Sequence, residues 1–260
     1  MNDYGTVRVA DAGGGVRILT LDRPPVNALG RQLVDDLARA VADLAGDGAA
    51  RCLVVRSEGR HFCGGADLKE RQAMTGEEVR RFVPKMSAAF SALADLSFPT
   101  IAAIRGAAVG GGCEMALACD LRLLAQDATL GLRETALAIL PGAGGTQRLP
   151  RLIGVGRAKR WIFTARAHSA AEALADGVAD RVVPAGDLDH EATRWAEAIA
   201  AHGPLAIRLA KRAIDGGIGL PLQDALRFEW ECYEGTLDTH DREEGLRAFA
   251  EKRPPRFEGR

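Results

Sequence analysis

The sequence predicts an α/β fold with a mostly parallel sheet and a helical C-terminal region. Three observations carry this. Short β-branched or aliphatic runs recur at Val16–Leu21, 51–56, Thr100–Ile104 and Leu121–Ala125. Stretches with helical apolar spacing lie between them. From Leu188 onward no convincing strand follows, only four helical patterns. Strand–helix alternation brings the strands into one parallel sheet joined by crossovers.

Taken in order, VRILTL at Val16–Leu21 is the first strand, because such runs suit the pleated, half-buried surface of a sheet. Residues 31–44 place Leu33, Leu37, Val41 and Leu44 at helical spacing. RCLVVR at 51–56 is a second strand. A helix is expected over 77–96, then the strand Thr100–Ile104. An apolar helix at 112–118 leads into the strand Leu121–Ala125. In the tail, Pro204 suits the first turn of a helix, since its missing N–H costs nothing there. A last helix is expected to begin at Asp241, with Glu244 completing a capping box, to bury Leu246 and Phe249, and to stop before Pro254. The α/β core is expected over residues 1–190 and the helical region over 191–260.

Composition narrows the function. Apolar residues make up 47% of the 260, enough for a sizeable core. Thirty-four basic and 35 acidic residues leave a net charge of −1, which argues against a nucleic-acid binder. The most apolar stretch, 101–119, contains Arg105, Glu114 and four glycines, so it makes a poor membrane span. The N-terminus shows no basic start followed by an apolar run, so no targeting segment is expected. Five cysteines without paired spacing suggest reduced thiols and a cytoplasmic location. Five histidines with no H-E-x-x-H give no reason to expect a metal site.

Three segments carry chemistry. Phe62-Cys63-Gly64-Gly65-Ala66-Asp67-Leu68-Lys69-Glu70 joins a strand to a helix, and its glycines allow a sharp turn and close approach to backbone amides. An ordinary strand-to-helix turn would look the same. Gly106-Ala107-Ala108-Val109-Gly110-Gly111-Gly112-Cys113-Glu114 opens the apolar helix, and free amides at a helix start attract developing negative charge. Glu114 sits in the first turn of that helix, where burial makes a carboxylate costly unless it is paired or functional. A helix-start glutamate stabilised by the dipole is the plainer reading. The third segment contains Leu132-Arg133-Glu134, then Pro141-Gly142-Ala143-Gly144-Gly145-Thr146. Its glycines are expected to pack a helix tightly against the core rather than to touch a ligand. No Gly-Lys-Ser/Thr follows any of these glycines, so none is a P-loop.

In order and spacing, F-C-G-G-A-D-L-K-E, I-A-A-I-R-G-A-A-V-G-G-G-C-E-M-A-L-A-C-D and L-P-G-A-G-G-T-Q-R-L resemble the signature blocks of the enoyl-CoA hydratase/isomerase (crotonase) family. The likeness extends over essentially the whole chain. L-K-E-R-Q-A-M, E-T-A-L-A-I-L-P and E-K-R-P-P-R-F most resemble its 3-methylglutaconyl-CoA hydratase branch. The resemblance implies a crotonase-like spiral of β-β-α turns with a helical C-terminal trimerisation region, assembled as a homotrimer or homohexamer. It implies an acyl-CoA thioester as substrate, so that coenzyme A arrives with the substrate and no separate cofactor is needed. The amides of Ala66 and Gly111 would polarise the thioester carbonyl. Ala66, Asp67, Leu68 and Lys69 would line the coenzyme A side, and Glu114 and Glu134 would be the two hydratase glutamates. Two residues depart from the usual pattern: Gly64 stands where many members have alanine, and Arg133 where many hydratases have proline.

The chemistry fits these residues. Adding water to a double bond conjugated to a thioester creates an enolate-like oxygen, and each fixed amide aimed at it is worth ~3 kcal/mol. We assign Glu114 as the base that orients water and Glu134 as the acid, titrating as a pair. An enoyl-CoA isomerase, moving a proton with one carboxylate, is the nearest alternative. RNA binding, seen in some relatives of the branch, would need a basic helix at 31–44. That stretch holds Arg31 and Arg39 but also Asp35, Asp36 and Asp43, and no lysine.

Overall fold

The structure is a computed structural model describing all residues 1–260. The chain opens with β1 (Asn2–Asp3), β2 (Val7–Gly13) and β3 (Val16–Leu21), an antiparallel meander that the sequence showed only in its last strand. Next come α1 (Arg31–Ala45), β4 (Cys52–Ser57), α2 (Leu68–Ala73) and α3 (Gly76–Ala94). The helix expected over 77–96 is α3; its start is set by a capping box in which Thr75 accepts from the Glu78 N–H and Glu78 accepts from the Thr75 N–H. On α1, Leu33, Val34, Leu37, Ala40, Val41 and Leu44 form one buried stripe.

Two strand–strand–helix turns follow. β5 (Thr100–Ile104), β6 (Ala107–Val109) and α4 (Gly111–Ala118) make one. β7 (Leu121–Ala125), β8 (Thr129–Gly131) and then α5 (Gly145–Ile153) and α6 (Val155–Thr164) make the next. β9 (His168–Ser169), α7 (Ala170–Asp176) and β10 (Arg181–Val183) complete the spiral. Each full turn sends one strand to each of two sheets. The large sheet has the order β1-β2-β3-β4-β5-β7-β10 and is parallel from β3 onward. The small one is β6-β8-β9. β5 is buried at every position and β4 and β7 at nearly every one, as parallel strands covered on both faces should be.

Four helices end the chain: α8 (Leu188–Ala200), α9 (Pro204–Gly217), α10 (Leu222–Glu234) and α11 (His240–Glu251). The expected join at 190/191 falls inside α8. Leu188, Ala192, Ala196 and Ala200 bury α8 in the core beside β3, β4, β5 and β7. The hydrophobic core runs from Val7 to Ala200 and takes no residue from α9, α10 or α11. Polar contacts tether those helices instead. Arg51 donates to the Phe257 carbonyl beyond α11 at 2.8 Å, Arg208 of α9 donates to the Ala50 carbonyl at 3.0 Å, and Lys211 of α9 pairs with Asp120.

The last helix corrects two expectations. Its cap is Thr239, whose hydroxyl accepts from the Arg242 N–H at 3.1 Å, not Asp241. Asp241 and Glu244 are buried for another reason: they take the backbone N–H groups of Glu258, Gly259 and Arg256 and so fold the terminus back onto the helix. Leu246 and Phe249 are not buried but 61% and 86% exposed, and Ile218, Leu222 and Trp230 of the tail are exposed too.

Candidate active site

The two sheets bring all three glycine segments together. Cys63 bridges to β6: its N–H donates to the Ala107 carbonyl at 3.0 Å and its carbonyl accepts from the Val109 N–H at 3.1 Å. Leu29 holds the other side of the segment, donating to the Gly65 carbonyl at 2.8 Å and accepting from the Asp67 N–H at 3.1 Å. Gly65 has φ +85°, and a Cβ there would lie 2.7 Å from the Val109 carbonyl oxygen. Gly110 has φ +55°, and its Cβ would lie 3.1 Å from the Glu134 carboxylate. These two positions demand glycine because two backbones and a carboxylate meet there. The residues that follow them are Ala66 and Gly111. Gly111 is the first residue of α4, so its N–H has no acceptor in its own helix, and the Ala66 N–H has no protein acceptor either. Both residues line one cavity of about 950 Å³.

Glu114 and Glu134 line the same cavity. Glu114 is buried on α4. Its Oε1 accepts from the Ala143 N–H at 2.8 Å and the Gly145 N–H at 2.9 Å, and its Oε2 has no protein donor. The loop expected only to pack a helix therefore also fixes the glutamate. Arg148 steadies that loop, donating to the Ala143 carbonyl at 3.0 Å and the Ser91 hydroxyl at 3.2 Å. Burial raises the Glu114 pKa, against the two amides and the Arg148 charge, which lower it. Glu134 begins a short 3₁₀ turn, Glu134–Leu137, directly after β8. Gly131 ties it to the glycine segment before α4 by accepting from the Gly110 N–H at 2.8 Å. Burial first, and the Glu114 charge second, push the Glu134 pKa up to about 7, and its Oε2 is buried without a partner. One carboxylate is thus held by fixed donors, while burial and its neighbour's charge raise the pKa of the other.

The remaining expected residues divide. Leu68 lines the cavity. Asp67 serves the scaffold: it caps α2 by accepting from the Lys69 and Glu70 N–H groups and pairs with Arg23 at 2.8 Å. Lys69 is exposed and lies outside the cavity lining. Val83, Met86 and Leu140 supply apolar wall, and Arg71 and Arg133 also line the cavity. Arg71, Arg148, Ala143 and Gly145 lie inside the blocks quoted for the resemblance, but sequence reasoning assigned them no role. Asn27 was missed too: it is buried and donates to the Glu58 and His61 carbonyls at 3.2 and 2.9 Å, shaping the loop that carries Leu29.

The charges at 31–44 are spent internally. Asp36 takes the Thr6 N–H and hydroxyl and pairs with Arg39, and Lys85 pairs with Asp35.

Residues 11–260 match the family model described as enoyl-CoA hydratase/isomerase. The chain belongs to that family. It is 47% identical over 254 residues to the probable enoyl-CoA hydratase 2, mitochondrial, of Arabidopsis thaliana, covering 97% of this chain and 84% of that one. It is equally identical over 251 residues to the human methylglutaconyl-CoA hydratase, mitochondrial, covering 94% and 74%. A crystal structure of an enoyl-CoA hydratase from Bacillus anthracis superposes with a TM-score of 0.97 at 46% identity, covering 98% of this chain and 100% of that one. The two-sheet spiral described above is thus the crotonase fold of this family, with its helical C-terminal region.

Proposed function

We propose that the protein hydrates 2-enoyl-CoA thioesters, adding water across the 2,3 double bond to give 3-hydroxyacyl-CoA. The observation that carries this is the pair of unlike carboxylates, Glu114 and Glu134, in one cavity with the free amides of Ala66 and Gly111. The thioester oxygen accepts from the two amides. Glu114, its Oε1 anchored, uses Oε2 to take a proton from water attacking C3. Glu134 delivers a proton to C2. An isomerase needs one carboxylate, whereas here both are buried enough to be perturbed and both face the cavity.

Human methylglutaconyl-CoA hydratase is among the relatives, and 3-methylglutaconyl-CoA is the finer substrate we propose. Lys69, exposed and unpaired at the edge of α2, is free to meet the phosphates of coenzyme A. The apolar surface of the tail supports a homotrimer or homohexamer. The five free cysteines fit a cytoplasmic location, although both the Arabidopsis and the human relative described above are named as mitochondrial. No helix is long and apolar enough to cross a membrane. Product analysis with trans-2-butenoyl-CoA tests the reaction: 3-hydroxybutanoyl-CoA is expected, and double-bond migration without water uptake in a 3-enoyl thioester would establish the isomerase instead.

A further inference from the structure

His168 is fully buried, and neither of its ring nitrogens has a hydrogen-bond partner. Its ring lies flat on that of Trp161, with centroids 3.9 Å apart and planes 5° from parallel. A neutral imidazole always carries one N–H, so burying it unpaired is costly, and a hydrocarbon side chain would fill the space without that cost. The position of the stack connects it to Glu134, because a closed ring of contacts frames the Glu134 turn. β8 leads into that turn and places Leu130 opposite His168 of β9. The segment entering β9 comes so close that a Cβ on Gly131 would lie 2.5 Å from the Arg166 carbonyl oxygen. The stack then joins β9 to Trp161 of α6. From α6 the Ile162 carbonyl accepts from the Thr135 hydroxyl at 2.7 Å, which closes the ring at the turn. Trp161 is itself fixed, its Nε1 donating to Asp176 at 2.7 Å.

We propose that His168 is a positioning residue for Glu134: neutral, it holds β9 against α6 and keeps the turn in place; protonated, it leaves the stack and loosens the turn, so that acid withdraws Glu134 from the reaction. The proposal rests on the hydratase reading only for its effect on turnover. The charged groups around the ring are Arg160 of α6, Arg166 before β9, and Glu172 and Asp176 of α7. Burial first, then Arg166, lower the His168 pKa; Glu172 and Asp176 oppose them, and Arg160 adds to them. Both acids stay ionised where histidine titrates. Arg166 holds Glu172 down to about 2, and against its own burial Asp176 is held low by Trp161 and Arg160. Among these groups His168 alone changes charge near neutrality. A pKa lowered in the closed frame means that the proton favours the opened one. The closed frame is therefore lost as the pH falls below the ~6.5 of a free histidine.

The test is hydrogen exchange at about pH 7.5 and about pH 5.5, one unit to either side of the free-histidine value, in the wild type and in His168→Phe, which keeps an aromatic ring and takes no proton. Corrected for intrinsic rates, protection of Thr129–Gly131 and of the turn Glu134–Leu137 should fall by up to ~10-fold more in the wild type, the most that one histidine can favour the opened form over this range. His168→Leu should match His168→Phe, so the comparison stands if the larger ring is not accommodated. The wild type alone supplies a further arm: the amides of β4 should keep their protection over the same range, and an equal loss there would mean general weakening by acid and overturn the proposal. For turnover, the ratio of variant to wild-type kcat should rise by up to ~10-fold between the two pH values. Glu114 titrates alike in both proteins and drops out of that ratio. A flat ratio overturns the positioning role. If neither protein hydrates an enoyl thioester at any pH, the hydratase reading fails, while the exchange result still decides the frame.

Discussion

Gly65→Ala tests the geometry on which the chemistry depends. Gly65 has φ +85°, and an alanine Cβ would sit 2.7 Å from the Val109 carbonyl oxygen and 3.7 Å from the Gly110 Cα. The left-handed backbone alone costs an alanine ~1–2 kcal/mol. The contact is with backbone, not the end of a flexible side chain, so either the loop carrying Gly65 or β6 must move. The next amide is that of Ala66, and moving it off the thioester oxygen forfeits one donor, about 2.7–4 kcal/mol or ~10²–10³ in kcat. Gly59 separates strain from displacement. It has φ +75° and open space where a Cβ would go. Gly59→Ala should therefore lose similar backbone stability, a few degrees in Tm, yet keep its kcat. The assay is the loss of enoyl-thioester absorbance, with calorimetry on both variants. A folded Gly65→Ala enzyme with kcat within about threefold of wild type, far short of one lost donor, would refute the assignment of the Ala66 amide.

Glu114→Gln and Glu134→Gln should each lose ~10²–10⁴ in kcat, and the double variant should fall little below the worse single one because the pair acts on one reaction step; losses that multiply would show independent roles. Glu134 donates only while protonated, so raising the pH through about 7 should depress kcat/KM, and Glu134→Gln should abolish that alkaline limb. A profile flat through that range in the wild type contradicts Glu134 as the acid. Light scattering at micromolar concentration should find a trimer or hexamer, and Phe249→Glu, placing a charge on a residue 86% exposed in the single chain, should weaken it. A wild-type monomer would end the assembly proposal.

The parallel sheet was legible because strands buried on both faces are written as unbroken apolar runs, as in Cys52–Ser57 and Thr100–Ile104. The small sheet was not, since Ala107–Val109, Thr129–Gly131 and His168–Ser169 are too short to show a period. Gly110 to Gly112 announced themselves by their backbone cost. The grip of Ala143 and Gly145 on Glu114 left no signal, because every non-proline residue has an N–H and only the fold aims it. Asp241 and Glu244 have capping-box spacing, but spacing cannot tell a cap from two buried carboxylates that fasten the chain end. Leu246 and Phe249 have core-like periodicity, and periodicity does not say whether the surface they cover belongs to the same molecule.

The absence of α9, α10 and α11 from the hydrophobic core bears on how the protein opens. Hydrogen bonds such as those from Arg51 to the Phe257 carbonyl and from Arg208 to the Ala50 carbonyl each contribute about 1 kcal/mol net. In a lone chain the three helices therefore behave as a separate cooperative unit whose amides exchange with solvent by detachment, while those of β4, β5 and β7 wait for global unfolding. When neighbouring chains cover the apolar surface of these helices, mass action protects them in proportion to protein concentration. Dilution then loosens the tail while leaving intact the sheets that hold both glutamates.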